Sequence, residues 1–251
     1  MPEYTDENGL LHRDLAFPYR IFRPTDASGE CLFLLHGSGV DETTLMPLAR
    51  QIAPKATLVA ARGRIAQEDG FRWFARITPT RFEQESIRTE TDAFAGFVAE
   101  VAQRHELDLS RSTFFGYSNG ANLVSSLMLL HPGLVERAAL LRPMPVLDEV
   151  PATDLTGTKA LIIAGAVDLT YAPFAPALVT LLSRHGAEVD ARIVSSGHEF
   201  GDADAAIVGN GWAAGQSRSR RQASGPGATP APSCSRHRAR RSCRPQPASG
   251  S

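Results

Sequence analysis

Gly116-Tyr117-Ser118-Asn119-Gly120 sets a serine between two glycines in a G-x-S-x-G pattern. A serine so placed can attack an acyl carbonyl when the motif is the turn between a strand and a helix. The flanking residues predict that setting. Residues 112–115 (Ser-Thr-Phe-Phe) read as a strand, and Asn119–Leu130 as a helix. The glycines would let strand and helix pack closely around the serine, and the helix N-terminus favours negative charge there. The blander reading is a glycine-rich connection that carries a serine by chance.

A serine hydroxyl needs a base, and histidine titrates near neutrality. Of seven histidines, His105, His131 and His185 sit at predicted helix ends, where interaction with the helix dipole accounts for them. His12 precedes the first predicted strand, and His237 falls near the C-terminus. His36 and His198 follow strands. His36 leads into Gly37-Ser38-Gly39 and reads as a brace for that loop, so His198 is the candidate base.

The acids between Ser118 and His198 are Glu136, Asp148, Glu149, Asp154, Asp168, Glu188 and Asp190. Only Asp168 stands at the carboxyl end of a strong apolar run, 161–168. Alone it would read as a turn residue. The order nucleophile, acid, histidine, which accompanies such an elbow, selects it as the partner of His198. Acyl transfer also builds charge on a carbonyl oxygen, which two backbone N–H groups should meet. Asn119, next after the serine, supplies one. Ser38, in the glycine loop after the Cys31–Leu35 run, supplies the second.

These residues require a scaffold. Short apolar runs at 17–23, Cys31–Leu35, 56–61, 112–115, 138–141, 159–164 and 189–194 read as strands. Helical spacing covers 41–53 (capped by Asp41), 82–105, Asn119–Leu130 and 173–185. Residues 64–81 carry charge and aromatics without periodicity and read as an ordered loop. Strands alternating with helices imply an α/β fold: a mostly parallel sheet with helices on both faces and ligands at the strands' carboxyl ends.

Composition agrees. Hydrophobic residues make up 43% and charged residues 21% of 251, ordinary for a globular protein. Residues 217–251 hold eight arginines and no Asp, Glu or Lys, leaving 18 basic against 27 acidic residues in 1–216, a net charge of −9. That acidity argues against a nucleic-acid binder. The expected organisation is a catalytic domain over 1–216 and a disordered Arg/Pro/Ser-rich tail over 217–251, read as a passive extension rather than an RNA-binding segment. The polar, acidic start does not resemble a secretory signal, no apolar run is long enough to span a bilayer, and a cytoplasmic location is the default expectation. Cys31, Cys234 and Cys243 form neither a disulfide framework nor a zinc pattern. No cofactor is expected, because Gly37-Ser38-Gly39 is not continued as G-x-G-x-x-G.

Four blocks, Leu35-His-Gly-Ser-Gly-Val-Asp-Glu42, Gly116-Tyr-Ser-Asn-Gly-Ala-Asn122, Ala164-Gly-Ala-Val-Asp168 and Gly197-His198, resemble the carboxylesterase/phospholipase branch of the α/β-hydrolases, which includes acyl-protein thioesterase-like members. The resemblance covers about residues 15–205. It implies an α/β-hydrolase fold, catalysis by Ser118, Asp168 and His198, and backbone oxyanion donors at Ser38 and Asn119. A serine carboxylesterase acting on short-to-medium acyl esters through an acyl-enzyme is the activity it implies. An acyl-thioesterase or lysophospholipase with the same residues is the alternative, and a non-catalytic binding protein of the same fold a more distant one. Family members end in a firm amphipathic helix. Here 201–212 is short and interrupted by Gly209 and Gly211, so weak support of the His198 loop is expected.

Only 17 residues separate Leu141 from Lys159, three of them proline. That excludes a large cap and predicts an open, shallow pocket for a small-molecule ester. The Phe71-Arg-Trp-Phe74 segment could wall it, with core packing as the competing role. Arg72 and Arg76 read as solvated charges rather than anion contacts.

Overall fold

The computed structural model describes residues 8–67 and 70–209. The expected tail, the boundary at 216/217, Cys234, Cys243 and His237 lie outside the described residues. In chain order the strands and helices are β1 (Leu11–His12), β2 (Tyr19–Phe22), β3 (Cys31–Leu35), α1 (Met46–Ile52), β4 (Thr57–Ala61), β5 (Ile65–Gln67), β6 (Gly70–Arg72), β7 (Arg76–Thr78), β8 (Arg81–Phe82), α2 (Gln84–Arg104), β9 (Ser112–Tyr117), α3 (Asn119–Leu130), β10 (Arg137–Leu141), β11 (Lys159–Gly165), α4 (Ala175–Arg184), β12 (Glu188–Val194) and α5 (Asp202–Ile207).

Eight strands form one sheet in the order β1-β2-β4-β3-β9-β10-β11-β12. The β1–β2 and β2–β4 pairs are antiparallel and the other five are parallel. Side-chain alternation divides the apolar residues between two faces. Phe33, Val59, Phe114, Leu140 and Ile162 point to one, which α2, α3 and α4 cover. Leu34, Ala60, Phe115, Leu141 and Ile163 point to the other, which α1 and α5 cover. Because both faces are buried, the central strands are continuous apolar runs rather than alternating ones. On α2 the stripe Ile87, Phe94, Phe97, Val98 and Val101 is fully buried, as its 3.6-residue spacing requires.

Three local expectations change. Asp41 does not cap a helix: its carboxylate accepts from Thr43 N at 2.9 Å in a turn, and α1 starts only at Met46. The described residues between 64 and 82 include two small antiparallel strand pairs, β5–β6 and β7–β8, whose strands are too short to show periodicity. The segment from 173 opens with a 3₁₀ turn before α4. Residues 142–158 form no helix or strand, and among the described residues no cap domain follows β10. Among the described residues no helix is long and apolar enough to cross a membrane.

Candidate active site

Five parallel-sheet strands deliver the candidate site at their carboxyl ends: β3 leads into 36–39, β9 into Ser118, β10 into Arg142, β11 into the Asp168 turn and β12 into the His198 loop. Ser118 has φ 51° and ψ −114°, a backbone that side-chain-bearing residues rarely adopt. The turn fits because the residues two positions away on each side, Gly116 and Gly120, carry no Cβ. At Gly120 a Cβ would sit 2.1 Å from Leu35 O, and at Gly116 2.7 Å from Ala121 Cα. Ser118 N–H donates to Leu141 O at 2.8 Å, tying the elbow to β10.

The three residues expected from the sequence converge. His198 Nε2 lies 2.9 Å from Ser118 Oγ, and His198 Nδ1 lies 2.7 Å from Asp168 Oδ2. Asp168 is buried, and its Oδ1 accepts from Tyr171 N at 3.0 Å and Thr170 N at 3.3 Å. Two donors on one oxygen and the imidazole on the other fix the carboxylate's position. Aromatic rings flank the imidazole, with Tyr171 at 4.6 Å and Tyr117 at 5.5 Å between centroids. Burial pushes the Tyr117 phenol up to about 12, so it stays protonated through the neutral range.

Ser38 and Asn119 line the same cavity as Ser118 and His198. Asn119 Oδ1 accepts from Trp73 N at 2.8 Å. The buried Asn119 Nδ2 has no hydrogen-bond partner among the described residues. The 36–39 loop is held from several sides. Trp73 Nε1 donates to His36 O at 2.8 Å, Gly39 N to Phe71 O at 2.9 Å, and Arg72 Nη2 to Ser38 Oγ at 2.8 Å.

His36 acts as the brace its position suggested. It is buried, Nδ1–H donates to Gly37 O at 2.6 Å, and Nε2 accepts from Gly63 N–H at 3.0 Å. Both ring nitrogens are used in the neutral form. Burial drives its pKa down to about 4, outweighing the Gly37 carbonyl and the Glu42 and Asp41 charges. The folded state therefore refuses a proton that the unfolded chain accepts below about 6.5. Stability rises with pH across that window, and roughly 3 kcal/mol should be lost as pH falls from 6.5 to 4. Urea melts at pH 7, 5.5 and 4 check this. His36→Gln should lower stability at pH 7 and flatten that part of the profile, and an unchanged profile would contradict the assignment.

The cavity holds about 350 Å³. Its apolar wall is Phe82, Met144, Pro79 and Tyr171 rather than the 71–74 segment. Trp73 and Phe74 are fully buried in the core, and Phe71 packs under Arg62 at 4.7 Å. Arg72 is not a solvated charge. It is 5% exposed, bonded to Ser38 and set over Phe82 at 5.9 Å, whereas Arg76 is exposed but also lines the cavity. The residue missed altogether was Arg142, which lines the cavity, is 3% exposed and pairs with buried Asp204. Its position immediately after a strand was the available signal.

A mostly parallel sheet with a strained serine elbow after a central strand defines a hydrolase of the α/β-hydrolase fold. No family model matches the chain. MhqD of Bacillus subtilis, named as a hydrolase, is 33% identical over 141 residues, 56% of this chain and 70% of that protein. The carboxylesterase from Mesorhizobium loti is similar at 74% identity and a TM-score of 0.82, covering 83% of this chain and 100% of that one. The Bacillus cereus carboxylesterase is similar at 27% identity and a TM-score of 0.73, covering 76% and 91%. The chain belongs to the carboxylesterase family.

Proposed function

We propose that this enzyme is a serine carboxylesterase for short-to-medium acyl esters, with Ser118 as nucleophile, His198 as base and Asp168 as its orienting acid. The observation that carries the reading is the hydrogen-bonded run from Ser118 Oγ through His198 to Asp168, opening on a 350 Å³ cavity. His198 Nε2 takes the hydroxyl proton as Ser118 Oγ bonds to the ester carbonyl carbon. Asp168 keeps the other ring proton on Nδ1 and stabilises the imidazolium. The N–H groups of Ser38 and Asn119 receive the developing oxyanion. Collapse releases the alcohol, protonated by His198, and leaves an acyl-Ser118 ester. A water activated by His198 then cleaves that ester and releases the acid.

The size of the cavity limits the acyl chain. Turnover of p-nitrophenyl esters is expected to peak between acetate and octanoate and to fall steeply by palmitate. A palmitate optimum would assign the site to lysophospholipids, and faster cleavage of matched acyl thioesters would assign it to those. Folded protein with no turnover on any of them would overturn the reading.

A further inference from the structure

The segment that carries His198, residues 195–200, lies between the end of β12 and the start of α5 and has no helix or strand of its own. A base must nevertheless be held within a fraction of an ångström of its nucleophile. What holds it comes from another strand. Arg142 Nε donates to Gly197 O at 3.0 Å, and Nη2 donates to Ser196 Oγ and Glu199 O, each at 2.9 Å. The guanidinium thus grips the chain on both sides of His198. Nη1 donates to Ile163 O at 3.3 Å and to Asp204 Oδ1 at 2.8 Å, and Nη2 is shared with Asp204 Oδ2 at 3.1 Å. Asp204 is 1% exposed and also accepts from Gly201 N at 2.9 Å, so α5 locks the far end of the clamp.

The backbone completes the link. Arg142 has φ 53° and donates its N–H to Ile163 O at 2.8 Å, while the preceding carbonyl, Leu141 O, receives Ser118 N–H. Two consecutive residues therefore hold the backbone of the nucleophile and the loop of the base. An apolar side chain could have filled the space, and buried ion pairs are often replaceable by such residues without loss of stability. An arginine with this many fixed contacts is better explained by geometry than by stability. We propose that Arg142 is a positioning residue, which sets His198 against Ser118 through the 196–199 loop, with Asp204 as its anchor. The proposal rests on the assignment of Ser118 and His198 above. It also reverses the expectation of a weakly supported loop, because the support comes from β10 and needs only the first turn of α5.

The test compares Arg142→Met, Arg142→Lys and a core variant of matched stability, Leu161→Ala, at a temperature where each is folded. Arg142→Met should lose about 10²-fold in kcat with little change in KM, the size expected of an ångström-scale misplacement. It should also react more slowly with a fluorophosphonate at Ser118. Arg142→Lys should fall between, since lysine lacks the planar fork. Added ethylguanidinium should restore part of the activity of Arg142→Ala, a rescue that lost packing alone would not show. Equal kcat per folded molecule in Arg142→Met and wild type would overturn the proposal. If Arg142→Met does not fold, Ser196→Ala decides. It keeps the buried pair and removes one loop contact, so kcat should fall several-fold with the melting temperature held, and unchanged kcat would overturn the clamp. Failure of the underlying assignment looks different: Ser118→Ala would then remain active, whatever Arg142 does.

Discussion

Ser118→Ala is expected to reduce kcat for p-nitrophenyl esters by about 10⁶-fold while leaving the fold and melting temperature unchanged, since serine nucleophiles removed from comparable sites cost that much. Among the described residues the hydroxyl hydrogen-bonds to His198 Nε2 alone, and Ser118 is only half-buried, so its removal leaves no orphaned core group. Alanine has the same Cβ as serine and tolerates the φ of 51° no worse. The backbone N–H of Ser118 keeps its bond to Leu141 O. Residual turnover should stay some 10³–10⁴-fold above the uncatalysed rate, because the oxyanion donors and the cavity are untouched. Intact-mass analysis after fluorophosphonate treatment should show one adduct on the wild type and none on the variant. Activity retained in Ser118→Ala would mean that another residue attacks.

Asp168→Asn is expected to lower kcat by about 10⁴-fold, again without loss of fold. In the native site Oδ1 accepts from Thr170 N and Tyr171 N, and Oδ2 accepts from His198 Nδ1–H. An asparagine keeps one acceptor. The two backbone donors claim it, because turning the amide would set its NH₂ against two N–H groups in a buried place. His198 Nδ1 then faces a donor and must give up its proton. The proton moves to Nε2, which points at Ser118 Oγ and can no longer accept from it. Nitrogen NMR of the imidazole should report the switched tautomer, and kcat should recover partially at high pH, where serine ionises without help. A fall in kcat of less than about tenfold would show that Asp168 is not the orienting acid.

Much of this arrangement was legible because its signals are local. The runs at Cys31–Leu35 and Asn119–Leu130 appear in the structure with the bounds read from the sequence, because a strand covered on both faces reads as an unbroken apolar run and a helix against a sheet imposes its own period. Ser118, Asp168 and His198 could be picked out as candidates because each lies within four residues of the end of a strand, and the order nucleophile, acid, histidine set aside His36. The strand pairs within 65–82 escaped because two- and three-residue strands carry no period. Asp41 misled because an Asx turn and a helix cap use the same carboxylate-to-amide bond.

By itself the sequence determined the alternation of strands and helices, the elbow, and which three side chains could be brought to one edge of the sheet. These follow from spacing along the chain, where each residue's preference is set by near neighbours. Only the tertiary structure decided that Trp73 and Phe74 enter the core while Phe82 walls the cavity, and that Arg72 is buried beside Ser38. It alone set Arg142 on the loop of His198, 54 to 57 residues further along. Such contacts depend on where distant segments meet once the sheet has closed. An arginine after a strand looks the same in sequence whether its guanidinium points into water or clamps the base.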